Sequence, residues 1–288
     1  MEAKVIGTES VDEKSIRRDR MAALPKRESL HGKRETPALI SIGRILFGVS
    51  MIVLGIMGAI NQDFVMEWTA APANIPARAL WAYAHGGVLI VAGFGVLLER
   101  TVRLSSLALG TVWLAWTGLY LPLVIAHWRT SLGGAFEDLA IASGAFLLAA
   151  ISDPQRTSRT AVSVSRYAFA LCLPVFGLVH FLYPTFVAAW VPTWIPGPPI
   201  FCAYFTGVAF CAAGLAILSG VQARLASRLV ATMFSSWLLI VHIPRVMAHQ
   251  DRHEWSTLLI AVAISGSAWI VAGSVRGETV QTASLPEA

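Results

Sequence analysis

Leu39-Ile-Ser-Ile-Gly-Arg-Ile-Leu-Phe-Gly-Val-Ser-Met-Ile-Val-Leu-Gly-Ile-Met-Gly-Ala-Ile60 runs for 22 residues with a single charge, Arg44. A helix needs about 20 such residues to cross the hydrocarbon core of a bilayer. Seven more apolar segments follow, at 79–98, 104–126, 135–151, 167–183, 200–220, 229–248 and 256–275. The segments at 135–151 and 167–183 are short, so they must cross with little tilt or extend into their loops. The sequence therefore predicts an all-α, polytopic membrane protein with eight transmembrane helices.

Composition agrees. Hydrophobic residues make up 56% of the 288 and charged residues only 14%, with a mean hydropathy of +0.64. A soluble domain needs more charge to cover its surface. The net charge of +5 and pI near 9.4 would suit nucleic acid, but the cations cluster in the N-terminal tail and the inter-helix loops. That is how a membrane protein sets its topology. The side of the termini holds the tail cations together with Arg44, Arg100, Arg103, Arg156, Arg159, Arg166, Arg224, Arg228 and Arg276. The opposite side holds only Arg78, Arg129, Arg245 and Arg252. Both termini are expected in the cytoplasm, with the chain in the inner (cell) membrane and membrane lipid as its solvent.

Residues 1–38 carry no apolar core and no secretory h-region, and read as a disordered cytoplasmic tail. Cys172, Cys202 and Cys211 lie in apolar stretches without a C-x-x-C pattern, and read as small buried hydrophobes.

The chain also repeats itself. Gly55 and Gly177 stand 122 residues apart, as do Phe64 and Phe186, Trp68 and Trp190, Pro122 and Pro244, and His127 and His249. Gly86 and Gly93 match Gly207 and Gly214 at a shift of 121. Because each unit has an even number of spans, both copies enter from one side as parallel four-helix repeats. The expected organisation is a first repeat over 39–151, a cytoplasmic linker over 152–166, a second repeat over 167–275 and a C-terminal tail over 276–288. Pro122, Pro174 and Pro244 fall inside apolar spans and should bend them.

Polar groups within such spans are the functional clue. Apart from His31, every histidine falls in the outer half: His85, His127, His180, His242, His249 and His253. Arg245, Glu137 and Asp138 join them. Ser235, His242, Arg245 and His249 lie on one helical stripe, which should face the bundle. The four-proline segment Trp190-Val-Pro-Thr-Trp-Ile-Pro-Gly-Pro-Pro199 is too stiff and apolar for a solvated loop, and reads as an outer cap. Three readings stay open. The groups could anchor helix ends at the interface, line a pocket for a small polar or quinone-like molecule, or ligate a metal or haem. His242 and His249 are about 10 Å apart along a helix, too far to share one ion, so no metal site is expected.

Gly177-Leu-Val-His-Phe-Leu-Tyr-Pro184, followed by Val191-Pro-Thr-Trp-Ile-Pro196, resembles the DoxX-like family of four-span membrane proteins. Tyr204-Phe-Thr-Gly-Val-Ala-Phe-Cys-Ala-Ala-Gly214 is similar to that family's second helix, and Arg224-Leu-Ala with His242-Ile-Pro244 continues the likeness. It covers residues 166–275. The first half joins only through the repeat, with Gly58 at the position of His180 and Tyr120 at that of His242. The family is named for a subunit associated with thiosulfate:quinone oxidation. The resemblance thus implies a membrane redox accessory, a quinone as ligand and other membrane redox subunits as partners. Many relatives carry a Glu where this chain has Phe210, which removes a group that could relay protons.

The expected site, open to the outer side, comprises His180, Tyr183, Trp194, Tyr204, His242, Arg245 and His249. His180 and His242 should approach each other, with Trp194 turned inward beneath the cap. A transporter-like or scaffold protein without redox activity is the alternative. No catalytic triad, nucleotide loop or metal quartet is visible in the sequence.

Overall fold

The computed structural model describes residues 38–64, 71–72, 74–153 and 155–275. The expected tails, up to Pro37 and from Arg276, lie outside the described residues, as do His31 and Trp68.

Every described element is helical. In chain order they are α1 (Ala38–Asn61), α2 (Arg78–Leu97), α3 (Val102–Leu119), α4 (Leu121–Ser152), α5 (Arg159–Leu182) and the short α6 (Pro184–Ala188). Then come α7 (Pro199–Ser219), α8 (Ala223–Trp237), a π-helical turn (Leu238–His242), α9 (Ile243–His249) and α10 (Arg252–Ser274). Counting Ala223–His249 as one rod, seven of the described helices are long and apolar enough to cross a membrane. The protein is a multi-pass α-helical membrane protein.

The distribution of polarity identifies the solvent. Val91 and Ile125 are 74% and 77% exposed, whereas Ser50, Ser106, Asp138, Ser265 and Ser267 are buried. Apolar groups outside and polar groups inside suit lipid, in which an unpaired polar group is costly. The Ser265 hydroxyl lies 2.9 Å from that of Ser235, and the Trp269 indole donates to Ser235 at 2.8 Å. These bonds tie α8 to α10.

α4 and α10 are the most enclosed helices and form the spine. α1 lies tightly against α10, because a methyl group at Gly43 would stand 2.6 Å from the Gly266 carbonyl oxygen. Only glycine permits such an approach, which is a main source of helix association in lipid. Beyond the C-terminal end of α1, Asp63 pairs with Arg78 at the start of α2 (2.7 Å) and Arg252 at the start of α10 (3.5 Å).

Helix boundaries depart from the hydropathy reading where proline or polar turns intervene. The expected span 104–126 runs through α3 and the opening residues of α4, because Tyr120 between them keeps helical dihedrals (φ −73°, ψ −19°), and Pro122 stands in the first turn of α4. Proline suits that place, where no backbone N–H is needed. The bend falls at His127, whose φ of −140° and ψ of 52° are non-helical. α5 begins at Arg159 inside the expected linker, capped by the Ser158 hydroxyl, which accepts from the Ala161 N–H at 3.3 Å. Pro174 lies within α5 without interrupting it.

Candidate functional site

A cavity of about 490 Å³ opens beside the C-terminal ends of α5 and α8 and the N-terminal half of α7, with α4 and α10 behind it. Its walls are mostly aromatic and aliphatic, and its few polar groups include His180, His242, Glu137, Thr206 and Thr257. Phe201 and Phe205 at its edge are 64% and 63% exposed, so the cavity meets the lipid between α7 and α8.

His180 sits in the last turn of α5. Its Nδ1 lies 2.8 Å from the Phe176 carbonyl. A carbonyl only accepts, so Nδ1 carries the proton, and Nε2 of the neutral ring is an acceptor. The imidazole is stacked on Trp237 (6.2 Å between centroids, 22° between planes) and meets Phe210 edge-on at 5.4 Å. It is therefore fixed in both tautomer and orientation.

His242 closes the π-helical turn. Such turns often occur at functional positions, and Pro244 beyond it withholds a backbone N–H. The ring lies 5.9 Å from that of Trp190, and its buried Nδ1 has no hydrogen-bond partner among the described residues. Both imidazoles thus line one cavity.

The roof is Trp190, not Trp194. Trp194 is 68% exposed, while Trp190, Pro192 and Ile195 line the cavity. The irregular proline-rich chain turns Ile195 inward and its neighbour outward. The Arg245 guanidinium lies 3.8 Å from the centre of the Trp190 ring, an attractive arrangement. That guanidinium is held by the buried Glu254: Nε donates to Oε2 at 3.0 Å, and Nη2 donates to Oε1. The Glu254 backbone N–H in turn donates to the Asp251 carboxylate at 2.9 Å. Arg245 thus braces the roof from behind and does not line the cavity.

The other expected site residues are not in the lining. Tyr183 precedes α6, Tyr204 stacks on Phe181 at 6.3 Å on an exposed face, and His249 is exposed at the end of α9. The stripe from Ser235 to His249 assumed a continuous α-helix. The π turn breaks that register, so Ser235 meets α10, His242 meets the cavity and His249 turns out. Trp237, Phe210 and Thr206 carried no signal to separate them from ordinary apolar packing. Glu137 stood out in sequence as a carboxylate near the start of its expected span.

The first half holds a different cluster. Trp116 Nε1 donates to His85 Nε2 at 3.1 Å, and Phe64 meets both rings edge-on at 5.1 and 5.6 Å. Among the described residues, no three His, Cys, Asp or Glu side chains gather as a metal site. Outside the spans, burial alone would raise the Asp63 carboxyl. Hydrogen bonds from Arg78 and the Phe64 N–H, with the charges of Arg78 and Arg252, outweigh it and hold the group below the usual carboxylate value.

The arrangement offers a hydrophobic slot with a fixed acceptor, His180 Nε2, on one side and the imidazole of His242 on another. No family model, curated protein or solved structure matches the chain.

Proposed function

We propose that this chain is a DoxX-like membrane redox accessory whose outer cavity binds the head group of a quinone or quinol. The observation that carries the reading is the pair of imidazoles, His180 and His242, on one largely apolar cavity that meets the lipid. A quinone is a flat ring with hydrogen-bonding oxygens at its edge and an isoprenoid tail that stays in lipid. Aromatic walls suit the ring, and the open side between α7 and α8 suits the tail. The Nε2 acceptor of His180 suits a quinol hydroxyl, and the His242 ring, in the tautomer protonated at Nε2, suits a carbonyl oxygen. The chain binds and presents the molecule, and oxidation or reduction belongs to a partner redox subunit.

The same proposal holds the chain to be two parallel four-helix repeats, over 39–151 and 167–275, in an inner membrane with both termini cytoplasmic. Two correspondences support the duplication. A Cβ at Gly55 would meet the Gly86 carbonyl at 2.5 Å, and one at Gly177 would meet the Gly207 carbonyl at 2.6 Å, the same pairing at shifts of 122 and 121. The chain also breaks helical regularity just before Pro122 and just before Pro244. Only the second repeat carries the His pair, so one site per chain is expected.

The test is titration of detergent-purified protein with a short-tailed benzoquinone, read by quenching of tryptophan fluorescence, since Trp190 and Trp237 line the cavity. Saturable quenching that weakens about tenfold or more in the His180→Ala, His242→Ala double variant is the expected result, each hydrogen bond being worth roughly 1 kcal/mol. Equal affinity in both proteins would move the reading to a scaffold or transporter-like role.

A further inference from the structure

We infer that the opposite end of the bundle holds a binding site for one anionic phospholipid, in a second cavity of about 460 Å³ between α3, α4 and α5. It is unconnected with the imidazole cavity, since Arg156 precedes α5 and His180 ends it.

The cavity is graded from charged to apolar along the membrane normal. Arg103 and Arg156 line one end, and Leu107, Leu114, Phe146 and Val164 line the rest. Arg103 forms no ion pair among the described residues. Arg156 has only Asp153, at 3.7 Å, and its side chain is 71% exposed. Two guanidinium groups face a single carboxylate, so the end carries excess positive charge where lipid phosphates lie.

The depth of the groove fits one leaflet. From Arg103 to Leu114 on α3, and from Ala150 back to Leu139 on α4, the lining runs 11 residues, about 16 Å along a helix. Half of a roughly 30 Å hydrocarbon core is about 15 Å. Leu114 and Val164 are 47% and 60% exposed, so the groove is open to lipid along its length. An acyl chain of the near leaflet would lie against these side chains with its phosphate between the two arginines. Basic pockets between transmembrane helices take anionic head groups in this way, and the guanidinium fork matches phosphate oxygens.

Native mass spectrometry of the full chain, titrated with phosphatidylglycerol or phosphatidylcholine of identical acyl chains, tests the site. The expected result is one tightly held phosphatidylglycerol, preferred about tenfold over phosphatidylcholine. Arg103→Gln with Arg156→Gln should abolish the preference while leaving weak binding of both lipids. Leu107→Trp, which fills the groove without touching the charges, should reduce the first binding step for both. Equal binding of the two lipids by the unaltered chain, or an unchanged preference in the arginine variant, would overturn the assignment.

Discussion

Replacing Glu254 with alanine should loosen the roof of the imidazole cavity and destabilise the protein measurably. Glu254 is only 5% exposed, and its two oxygens take both hydrogen bonds from Arg245. Removing one partner of a buried ion pair costs about 3–5 kcal/mol, because the other charge is left behind. The Arg245 side chain keeps 30% of its exposure, which lets water reach it and places the expectation near about 3 kcal/mol. For a chain of this size each kcal/mol moves the midpoint by roughly 2–4 °C, so the thermal transition in detergent should fall by roughly 6–12 °C. Glu254→Gln, which keeps an acceptor of the same shape, should lose less. Differential scanning fluorimetry on Glu254→Ala, Arg245→Met and the double variant supplies the test, because a coupled pair gives losses that do not add. A midpoint within about 1 °C of the parent in Glu254→Ala, or strictly additive losses, would refute the reasoning.

The roof assignment separates two tryptophans: Trp190→Ala should weaken benzoquinone binding several-fold in the fluorescence titration, whereas Trp194→Ala should leave it unchanged. Gly43→Val should place side-chain atoms against the Gly266 backbone and lower the thermal midpoint as an overpacking change of about 1–3 kcal/mol or more. Gly87→Ala, where nothing lies within 4 Å, should not. Asp63 gives a pH signature. Its folded carboxyl lies below the usual 3.8, so its contribution is complete above that value and is lost as pH falls through the folded pKa. The midpoint of the parent should therefore drop more steeply below about pH 4 than that of Asp63→Asn, and parallel curves would contradict the Asp63–Arg78–Arg252 link.

Much of the fold was legible because hydropathy reports contact with lipid. The expected spans 39–60, 79–98 and 200–220 lie within one residue of α1, α2 and α7. The reading failed where a helix is amphipathic at its end. α8 starts at Ala223, six residues before its expected span, because Arg224 and Arg228 face outward while Ala223, Ala226 and Ser227 pack inward. It also failed at residues 127–134, where His127, Arg129 and Thr130 suggested a loop. Polar residues at an interface stay helical, and only the His127 dihedrals record the bend.

The site was half legible for related reasons. His180 and His242 stand out because ionisable groups in apolar spans need protein or water around them. Choosing between Trp190 and Trp194 requires the backbone path of an irregular segment, which has no period to read. The π turn is equally invisible in composition, and it decides which residues of the Ser235–His249 stripe reach the cavity.

Photoaffinity labelling with an azido-benzoquinone, followed by peptide mapping, tests the central claim most directly. The predicted adducts fall on the C-terminal end of α5, the Phe186–Ile195 segment and the Met233–His242 stretch. They should disappear in competition with unlabelled benzoquinone. Labelling confined to the lipid-facing surface of α2 or α3, undiminished by competitor, would contradict a quinone site at the His180–His242 cavity.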